Sequence, residues 1–368
     1  MSAQVSGAAR RAVAYNLARS LSKSKADRPD ARRPRAAAPL RWKLPGQPAR
    51  WPERSPSKFL EEFFPPTQLL GRGGFATVLK AKRIACGVDY ALKVVDVDGD
   101  AADAEVASMT HIGPHPNLVP LHASWYERPT SKLEQAISRS ALLKRHTLSE
   151  YSSSESESSD DGIIRRPPKW RLVMQLGLCA HGSLHDWLRA RRETSPALAE
   201  ERSIAVAVAR GLRHVHEAHY AHLDLSPRNV LKGGDDWRIG DFGLAARFDD
   251  AANSTNGAPA YIAPERRHRL GVSRNEPNDL RAADVYSLGV ILFELLTPFD
   301  SAMERVVALE TLGGGGSLEA LRGQHPHEAR LIRAMTHSDP RARPTANDVL
   351  RSLCGDGEAI YGGDSSRV

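Results

Sequence analysis

The sequence is poor in cysteine and has no long apolar run. Its three cysteines, Cys86, Cys179 and Cys354, are widely spaced and odd in number, which argues against a disulfide framework or a zinc site and fits a reducing compartment. The longest apolar stretch, YSLGVILFELL at 286–296, is too short to cross a bilayer and predicts a buried helix. No continuous apolar core marks a signal peptide. These absences favour a soluble, cytoplasmic protein without a membrane span.

Acidic residues are scarce at the start of the chain. Residues 1–58 hold 14 Lys and Arg but 3 acidic residues, whereas the remainder holds 37 basic and 41 acidic residues, a net charge of −4. The overall charge of +7 therefore belongs to a tail, and a DNA-binding domain is a poor interpretation of it. Such a tail can still contact RNA or a membrane surface.

Composition separates a tail and an insertion from the folded part. Residues 1–66 are rich in Ala, Arg, Ser and Pro, which predicts a disordered tail. Because the first 25 residues contain no acid, organelle targeting stays open, as does nuclear entry. Residues 128–169 contain SEYSSSESESSDDG, which predicts a disordered, solvated insertion that suits phosphorylation. The flanking segments NLVPLHASWYE and WRLVMQLG alternate like neighbouring strands, so we expect this insertion between two strands of one sheet.

The order of the patterns predicts two lobes. Strand-like runs dominate the first half of the folded part, and the helical run ERSIAVAVARGLRHVHEAH opens the second half. No internal repeat is visible. We therefore predict an α+β fold, with a small lobe at 67–176, a larger helical lobe at 177–354 and a short tail at 355–368.

Two candidate functional segments lie in the small lobe. LLGRGGFATVLKAK at 69–82 sets glycines between two strand-like runs, where free backbone N–H groups can cover phosphates. Tight hairpins use glycine in the same way, so this signal alone is weak. The strand YALKVV then carries Lys93, and the helical stretch DAEVASM carries Glu105. Taken singly, such a lysine usually extends outward and such a glutamate is a surface acid.

The order of the later motifs changes this interpretation. HLDLSPRN at 222–229, DFG at 241–243, APE at 263–265 and DVYSLG at 284–289 follow in sequence. With these motifs the chain resembles the eukaryotic protein kinases over residues 67–354. The resemblance implies a two-lobed fold, with a small antiparallel sheet and one key helix in the first lobe and a mainly α-helical second lobe.

The resemblance also implies ATP- and Mg²⁺-dependent transfer of a phosphoryl group, in which the protein positions the reactants and stabilises charge. Asp224 would accept the proton of the substrate hydroxyl. Lys93 would hold the α- and β-phosphates and be oriented by an ion pair with Glu105. The implied catalytic residues are Asp224, Lys93, Asn229 and Arg228, and the implied metal ligands are Asn229 and Asp241. The implied ATP-binding residues are Gly71, Gly73, Gly74, Val78, Ala91, Lys93, Glu105, Met174, Gln175, Gly177 and Leu231.

Contacts inside the domain follow from the same resemblance. Met174 would be the gatekeeper behind the adenine pocket, and 175–177 the hinge. Glu265 should pair with Arg343 of DPRARP. The expected internal spine consists of Met109, Leu121, His222 and Phe242, anchored by Asp284.

Two features narrow the family. The insertion after HASWYE and the helix TPFDSAMERVVALETL resemble the kinases of the alpha subunit of eukaryotic initiation factor 2, in which this helix docks the substrate. Residues 300–312 would then be the docking surface for a protein substrate whose Ser or Thr hydroxyl accepts the phosphoryl group. HLDL instead resembles the Wee/Myt cell-cycle kinases, so that alternative stays open. Homodimerisation also stays open.

Several letters depart from the kinase pattern. Leu223 stands where an Arg usually reads a phosphorylated loop, so activation should depend weakly on phosphate at Ser254 or Thr255. Ser226 stands where a lysine usually approaches the transferred phosphate, and Ala258 where a Thr bonds to that lysine.

Arg228 is predicted to supply the missing charge. Receptor-type tyrosine kinases read H-R-D-L-A-A-R-N, with an Arg four residues after the catalytic Asp, as Arg228 stands after Asp224. The alternative is that Arg228 points into solvent. A regulatory pseudokinase that binds nucleotide without turnover is a further alternative. Against it stands the retention of five residues: Lys93, Glu105, Asp224, Asn229 and Asp241.

Overall fold

The computed structural model describes residues 57–72, 76–97, 103–131, 135, 137, 170–191, 198–248, 259–267, 280–312 and 318–355. All of them belong to the compact unit formed by residues 51–368. The predicted tail before residue 57, the tail after residue 355 and most of the predicted insertion lie outside the described residues.

A five-stranded antiparallel sheet forms the small lobe. Its strands are β1 (Gln68–Arg72), β2 (Ala76–Lys82), β3 (Asp89–Val97), β4 (Leu121–Glu127) and β5 (Trp170–Gly177). They lie in the order β1-β2-β3-β5-β4, and each neighbouring pair is antiparallel. Alternation along β3 directs Leu92 and Val94 to one face, where both are buried.

A short helix, α1 (Lys58–Glu62), precedes the sheet and packs onto it. Phe59 and Phe63 are buried with Leu79 and Leu92 in the core of this lobe. The predicted boundary, which assigned all residues up to 66 to the tail, is therefore wrong for residues 57–66. The segment is so rich in Pro, Arg and Ala that its composition outweighed two phenylalanines, Phe59 and Phe63, which lie one helical turn apart. Burial of these two side chains stabilises the segment.

The helix α2 (Asp103–Ile112) connects β3 to the rest of the lobe. Asp103 and Glu105 lie in its first turn, where the positive end of the helix dipole favours acids. Val106 packs against Leu172 and Met174 of β5. This packing orients the first turn of α2 toward the sheet.

The insertion leaves the sheet between two adjacent strands, as predicted. β4 and β5 pair directly, and Glu127 lies opposite Arg171 at the point where the insertion begins and ends. The predicted start at residue 128 includes residues that pack: the Arg128 guanidinium lies 5.0 Å from the Trp170 ring centre, and Ile137 packs against the small-lobe core. The solvated part of the insertion is therefore shorter than the composition indicates.

The large lobe is mainly helical. Its helices are α3 (Leu184–Ala190), α4 (Leu198–Glu217), α5 (Pro264–Arg267), α6 (Leu280–Leu296), α7 (Ala302–Thr311), α8 (Glu319–Gln324), α9 (Pro326–Met335) and α10 (Ala346–Cys354). Its short strands are β6 (Tyr220–Ala221), β7 (Val230–Gly233), β8 (Asp236–Ile239) and β9 (Ala246–Arg247), paired as β6 with β9 and β7 with β8. Two 3-10 turns cover Pro259–Tyr261 and Pro340–Ala342.

Helix α6 is the centre of this lobe. It is apolar all round and buried along nearly its whole length, which confirms the buried helix predicted from YSLGVILFELL. Gly289 allows α9 to approach, because a Cβ at this position would lie 2.8 Å from the Met335 Cβ. The predicted amphipathic helix is also confirmed, since Ile204, Val208 and Leu212 of α4 are buried on one face.

The architecture is the predicted two-lobed α+β fold. No helix among the described residues combines the length and the apolar composition that a membrane span requires.

Candidate active site

Three charged side chains from distant parts of the chain meet between the sheet and α2. The Nζ atom of Lys93, on β3, donates to both carboxylate oxygens of Glu105, at 2.7 and 2.8 Å. It also donates to Oδ1 of Asp241 at 2.9 Å. The predicted ion pair of Lys93 with Glu105 is therefore present, and it extends to the DFG aspartate.

Burial and mutual contact shift all three pKa values. Burial raises the pKa of Glu105, although the ammonium of Lys93 acts to lower it. Burial alone would lower the pKa of Lys93, but the carboxylates of Glu105 and Asp241 raise it above the usual value. Burial works to raise the pKa of Asp241, yet the ammonium of Lys93 lowers it. One cation between two anions forms a rigid, charged wall of the cleft.

Backbone geometry directs Asp241 into the cleft. Its φ of 61° lies in the left-handed region, which non-glycine residues adopt at a cost of about 1–2 kcal/mol. The next residue, Phe242, is buried, and its ring centre lies 4.9 Å from that of His222 in an edge-on arrangement. Burial of Phe242 thus holds Asp241 in its strained conformation.

The catalytic-loop motif brings Asp224 and Asn229 together. The Asn229 side-chain amide donates to the Asp224 backbone carbonyl at 2.7 Å and to its Oδ2 at 2.9 Å. Burial raises the pKa of Asp224, against the lowering effects of His222 and Asn229. A partly buried carboxylate with a fixed orientation is suited to accept a proton.

Asp284 of α6 anchors this loop from below. Its carboxylate accepts from the backbone N–H groups of His222, at 2.8 Å, and Leu223, at 2.7 Å. It also lies 2.9 Å from a ring nitrogen of His216. These contacts lower the pKa of Asp284 although burial opposes them, so a buried anion with three partners fixes the loop.

Three of the predicted spine residues, Met109, Leu121 and Phe242, share the large hydrophobic core, and the ring of His222 contacts that of Phe242. Met109 and Phe242 belong to the large core cluster, and Leu121 packs against it. His222 is fully buried, and one of its ring nitrogens lies 3.0 Å from the Gly240 carbonyl oxygen. The predicted anchoring by Asp284 is confirmed by its bond to the His222 backbone.

The residues predicted to contact the adenine lie on neighbouring strands. Val78 of β2 and Met174 of β5 both stand opposite Lys93 in the sheet register. Ala91 stands opposite Leu176 of the hinge. These positions bring Val78, the predicted gatekeeper Met174 and Lys93 to one part of the sheet.

The hinge side of the cleft is tightly packed. Met174 and Gln175 are buried, and the Gly177 N–H donates to the Pro120 carbonyl at 2.9 Å. A Cβ at Gly177 would lie 2.7 Å from the Pro120 ring, which explains the glycine. Leu231 lies on β7, across from Arg238 of β8.

Part of the predicted phosphate loop falls outside the described residues. Gly71 lies in β1 opposite Val78, whereas Gly73 and Gly74 are not among the described positions. Ala258 lies outside them as well. Their roles stay predictions.

The two departures in the catalytic loop differ in exposure. Ser226 is buried and its carbonyl accepts from the Asn229 N–H at 3.0 Å, so it supports the loop turn. Arg228 is exposed, and its charge helps to lower the pKa of His185, after the larger effect of burial. That Arg228 serves the transferred phosphate stays a prediction.

The segment with the APE motif is fixed to the large lobe. The Arg343 guanidinium donates to both oxygens of Glu265, each at 2.8 Å, which confirms the predicted pair. Sequence reasoning missed the next residue, Arg266, which is buried and donates to the Leu223 carbonyl at 2.8 Å. A basic residue directly after APE was the available signal.

A second missed cluster links three elements of the large lobe. Glu294 of α6 accepts from the Tyr261 hydroxyl and from Arg305 of α7, and Arg305 also donates to that hydroxyl at 2.8 Å. Burial and the neighbouring Glu294 raise the pKa of Tyr261 far above its usual value. The turn ahead of APE is thereby tied to α7.

Known proteins share this arrangement of motifs. The model of the protein kinase domain matches residues 64–353. The interferon-induced, double-stranded RNA-activated protein kinase of Rattus norvegicus is 26% identical over 288 residues, covering 77% of this chain and 50% of the relative. Eukaryotic translation initiation factor 2-alpha kinase 1 of Rattus norvegicus is 30% identical over 251 residues, covering 61% of this chain and 40% of the relative.

A relative with a different name is similar to the same extent. The Wee1-like protein kinase of Arabidopsis thaliana is 26% identical over 305 residues, covering 80% of this chain and 50% of the relative. The chain thus spans about half the length, or less, of these curated relatives. Because the family model covers more than three-quarters of the sequence and its motif residues converge on one cleft, the chain belongs to the protein kinase family.

Proposed function

We propose that this protein kinase uses ATP and Mg²⁺ to phosphorylate Ser or Thr of a protein substrate, the alpha subunit of translation initiation factor 2. The observation that carries the proposal is the convergence of Lys93, Glu105 and Asp241 within 2.9 Å. Phosphoryl transfer needs fixed charges around the phosphates more than covalent chemistry, and this cluster supplies them.

Each residue of the cleft has a separate task in this proposal. Lys93, oriented by Glu105, holds the α- and β-phosphates. Asp224, oriented by Asn229, accepts the proton of the substrate hydroxyl. Retention of these groups in bonded geometry favours turnover over the pseudokinase alternative.

The donor set fits Mg²⁺. Asp241 offers a carboxylate that stays half exposed on the cleft side of the Lys93 contact. The Asn229 amide nitrogen is engaged by Asp224, which leaves its amide oxygen as the group for a metal. Hard oxygen ligands are those that Mg²⁺ prefers. The bound ion would neutralise charge on the phosphate oxygens.

An exposed apolar face on α7 supports a protein substrate. Met303, Val306 and Val307 are 72%, 45% and 52% exposed, and their spacing sets them on one side of the helix. The opposite side is buried through Leu309. Water-exposed apolar groups of this kind mark a binding surface, and Arg305 connects this helix to the turn ahead of APE.

The first experiment is direct phosphorylation. The protein is incubated with radiolabelled ATP, Mg²⁺ and the purified initiation-factor subunit, with Asp224→Asn as the inactive control. We expect label on the subunit, on Ser or Thr by phosphoamino-acid analysis. Label on a generic basic protein but not on the subunit would refute the substrate, and phosphotyrosine alone would favour the Wee/Myt alternative.

The second experiment tests the docking face. Met303→Asp and Val306→Asp should raise KM for the subunit while phosphorylation of a short generic substrate stays unchanged. Ile84→Asp is the matched control, because Ile84 is an exposed apolar residue of the small lobe, 47% accessible. Equal KM in the α7 variants and the control would show that this face does not bind the substrate.

A further inference from the structure

The carbonyl before the catalytic aspartate requires support. Leu223 has a φ of 64°, a left-handed conformation that strains a residue with a branched side chain. Asp284 holds its N–H at 2.7 Å. The side chain of Leu223 is apolar and buried. It therefore offers no polar group to fix the peptide group between Leu223 and Asp224.

Arg266 supplies the contact on the carbonyl side. Its Nη1 atom donates to the Leu223 oxygen at 2.8 Å, across 43 positions of sequence. The residue is 4% exposed. Placing a guanidinium inside a protein is costly unless it is well bonded, and a charged donor makes a stronger bond than a neutral one.

The element that carries Arg266 is itself fixed. Helix α5 directly follows the turn of Tyr261, and its Glu265 is held by both terminal nitrogens of Arg343. Ser287 of α6 donates to the Tyr261 carbonyl at 2.8 Å. The guanidinium therefore stands on a rigid support that belongs to the APE segment.

We propose that Arg266 is a positioning residue: by bonding the Leu223 carbonyl it couples the APE segment to the orientation of Asp224. Leu223 is then held on both sides of its Cα atom, its N–H by Asp284 and its carbonyl by Arg266. Position 223 of the catalytic loop is an uncharged leucine, so the charged donor comes from Arg266 of the APE segment. This inference rests on the proposed phosphoryl transfer.

The test compares Arg266→Met with Arg266→Lys. Met preserves the chain length but removes every donor, whereas Lys keeps one charged donor. Misplacing a reacting group by about 1 Å costs about 10²-fold, so Arg266→Met should lose roughly that factor in kcat with an unchanged KM for ATP. Arg266→Lys should recover part of the loss. Rates are expressed per folded molecule, measured by thermal unfolding.

Arg191→Met is the matched control for stability. Arg191 is also a buried arginine that bonds a backbone carbonyl, that of Leu295, and it pairs with Glu201 away from the cleft. This variant should lose stability but keep kcat per folded molecule. Loss of kcat in both variants to the same degree would overturn the inference.

Hydrogen exchange gives a readout that does not depend on activity. Amides of residues 222–229 should exchange faster in Arg266→Met, or in Arg266→Lys if the Met variant does not fold, than in Arg191→Met. Unchanged exchange, or full kcat in Arg266→Met, contradicts the role of Arg266. A parent protein that transfers no phosphate would refute the proposed function, while the exchange result would still decide the inference.

Discussion

At the scale of single residues, the charged cluster gives the sharpest prediction. Asp241→Asn keeps the shape of the side chain but removes the charge that faces Lys93. Losing such a preorganised charge costs about 10²–10³-fold in rate, so phosphate incorporation should fall by at least that factor while circular dichroism stays unchanged. Lys93→Met should be as inactive. Near-normal turnover of Asp241→Asn would show that DFG is not the metal site.

Arg228 gives a second prediction at this scale. If it supplies the charge that Ser226 lacks, Arg228→Ala should lower kcat by about 10²–10³-fold and leave KM for ATP unchanged. Adding Ser226→Lys in that background should restore part of the rate. Its exposed position makes a structural collapse of the variant unexpected. Turnover equal to the parent's would mean that Arg228 does not supply the missing charge.

The role of a residue was predictable from the sequence where the chemistry admits only one or a few residue types. Lys93 and Glu105 could be paired before the structure because the family motifs fix their partners, whereas the bond of Lys93 to Asp241 was not predicted. Arg266 could not, because its partner is a backbone carbonyl 43 positions away. Every residue has a backbone carbonyl, so no particular residue type elsewhere in the sequence identifies the partner of Arg266.

At the scale of elements, α1 is the main surprise. Its N-terminus is held by Glu127 of β4, whose Oε2 accepts from the Phe59 N–H at 3.1 Å. Glu127 also accepts from the Ser57 hydroxyl and the Trp125 indole. A five-residue helix has almost no periodic signal, and its stability comes from these tertiary contacts.

Two neighbouring phenylalanines test this element. Phe63 is 2% exposed and stacks 6.1 Å from the Trp125 ring, whereas Phe64 is 47% exposed. Phe63→Ala should destabilise the fold by about 3–5 kcal/mol, and Phe64→Ala should have little effect, as measured by denaturant unfolding. A chain that starts at residue 67 should likewise be less stable than one that starts at residue 57. Equal stability of these two chains would show that α1 does not stabilise the folded domain.

At the scale of the whole molecule, the two-lobed α+β fold was predicted correctly because the alternation of strands and the amphipathicity of helices extend over many consecutive residues. The edges of the fold were not, since composition averages over segments in which a few apolar residues pack. Ile137 is an example: it lies in the predicted solvated insertion yet packs against the small-lobe core. Its contact is with residues distant in sequence, which no local window can identify.

Within the insertion, Ile137 packs against the small-lobe core, and two deletions test whether the rest of the segment is needed. The insertion leaves and re-enters the sheet at Glu127 and Arg171, which are paired neighbours, so a short connection can close the gap. Removing residues 141–165 should leave the unfolding temperature and kinase activity nearly unchanged, because each halving of a loop changes its closure free energy by only about 0.6 kcal/mol.

Removing residues 130–165 should lower the unfolding temperature, because this longer deletion also takes Ile137 from its contact with the core. Ile137→Asp in the full chain is the matched variant and should reproduce most of that loss without shortening the loop. If the shorter deletion prevented folding, the Ser and acidic tract would itself be structural. If the two deletions were equally stable, Ile137 would contribute nothing measurable to the core, and residues 130–165 would be dispensable for stability.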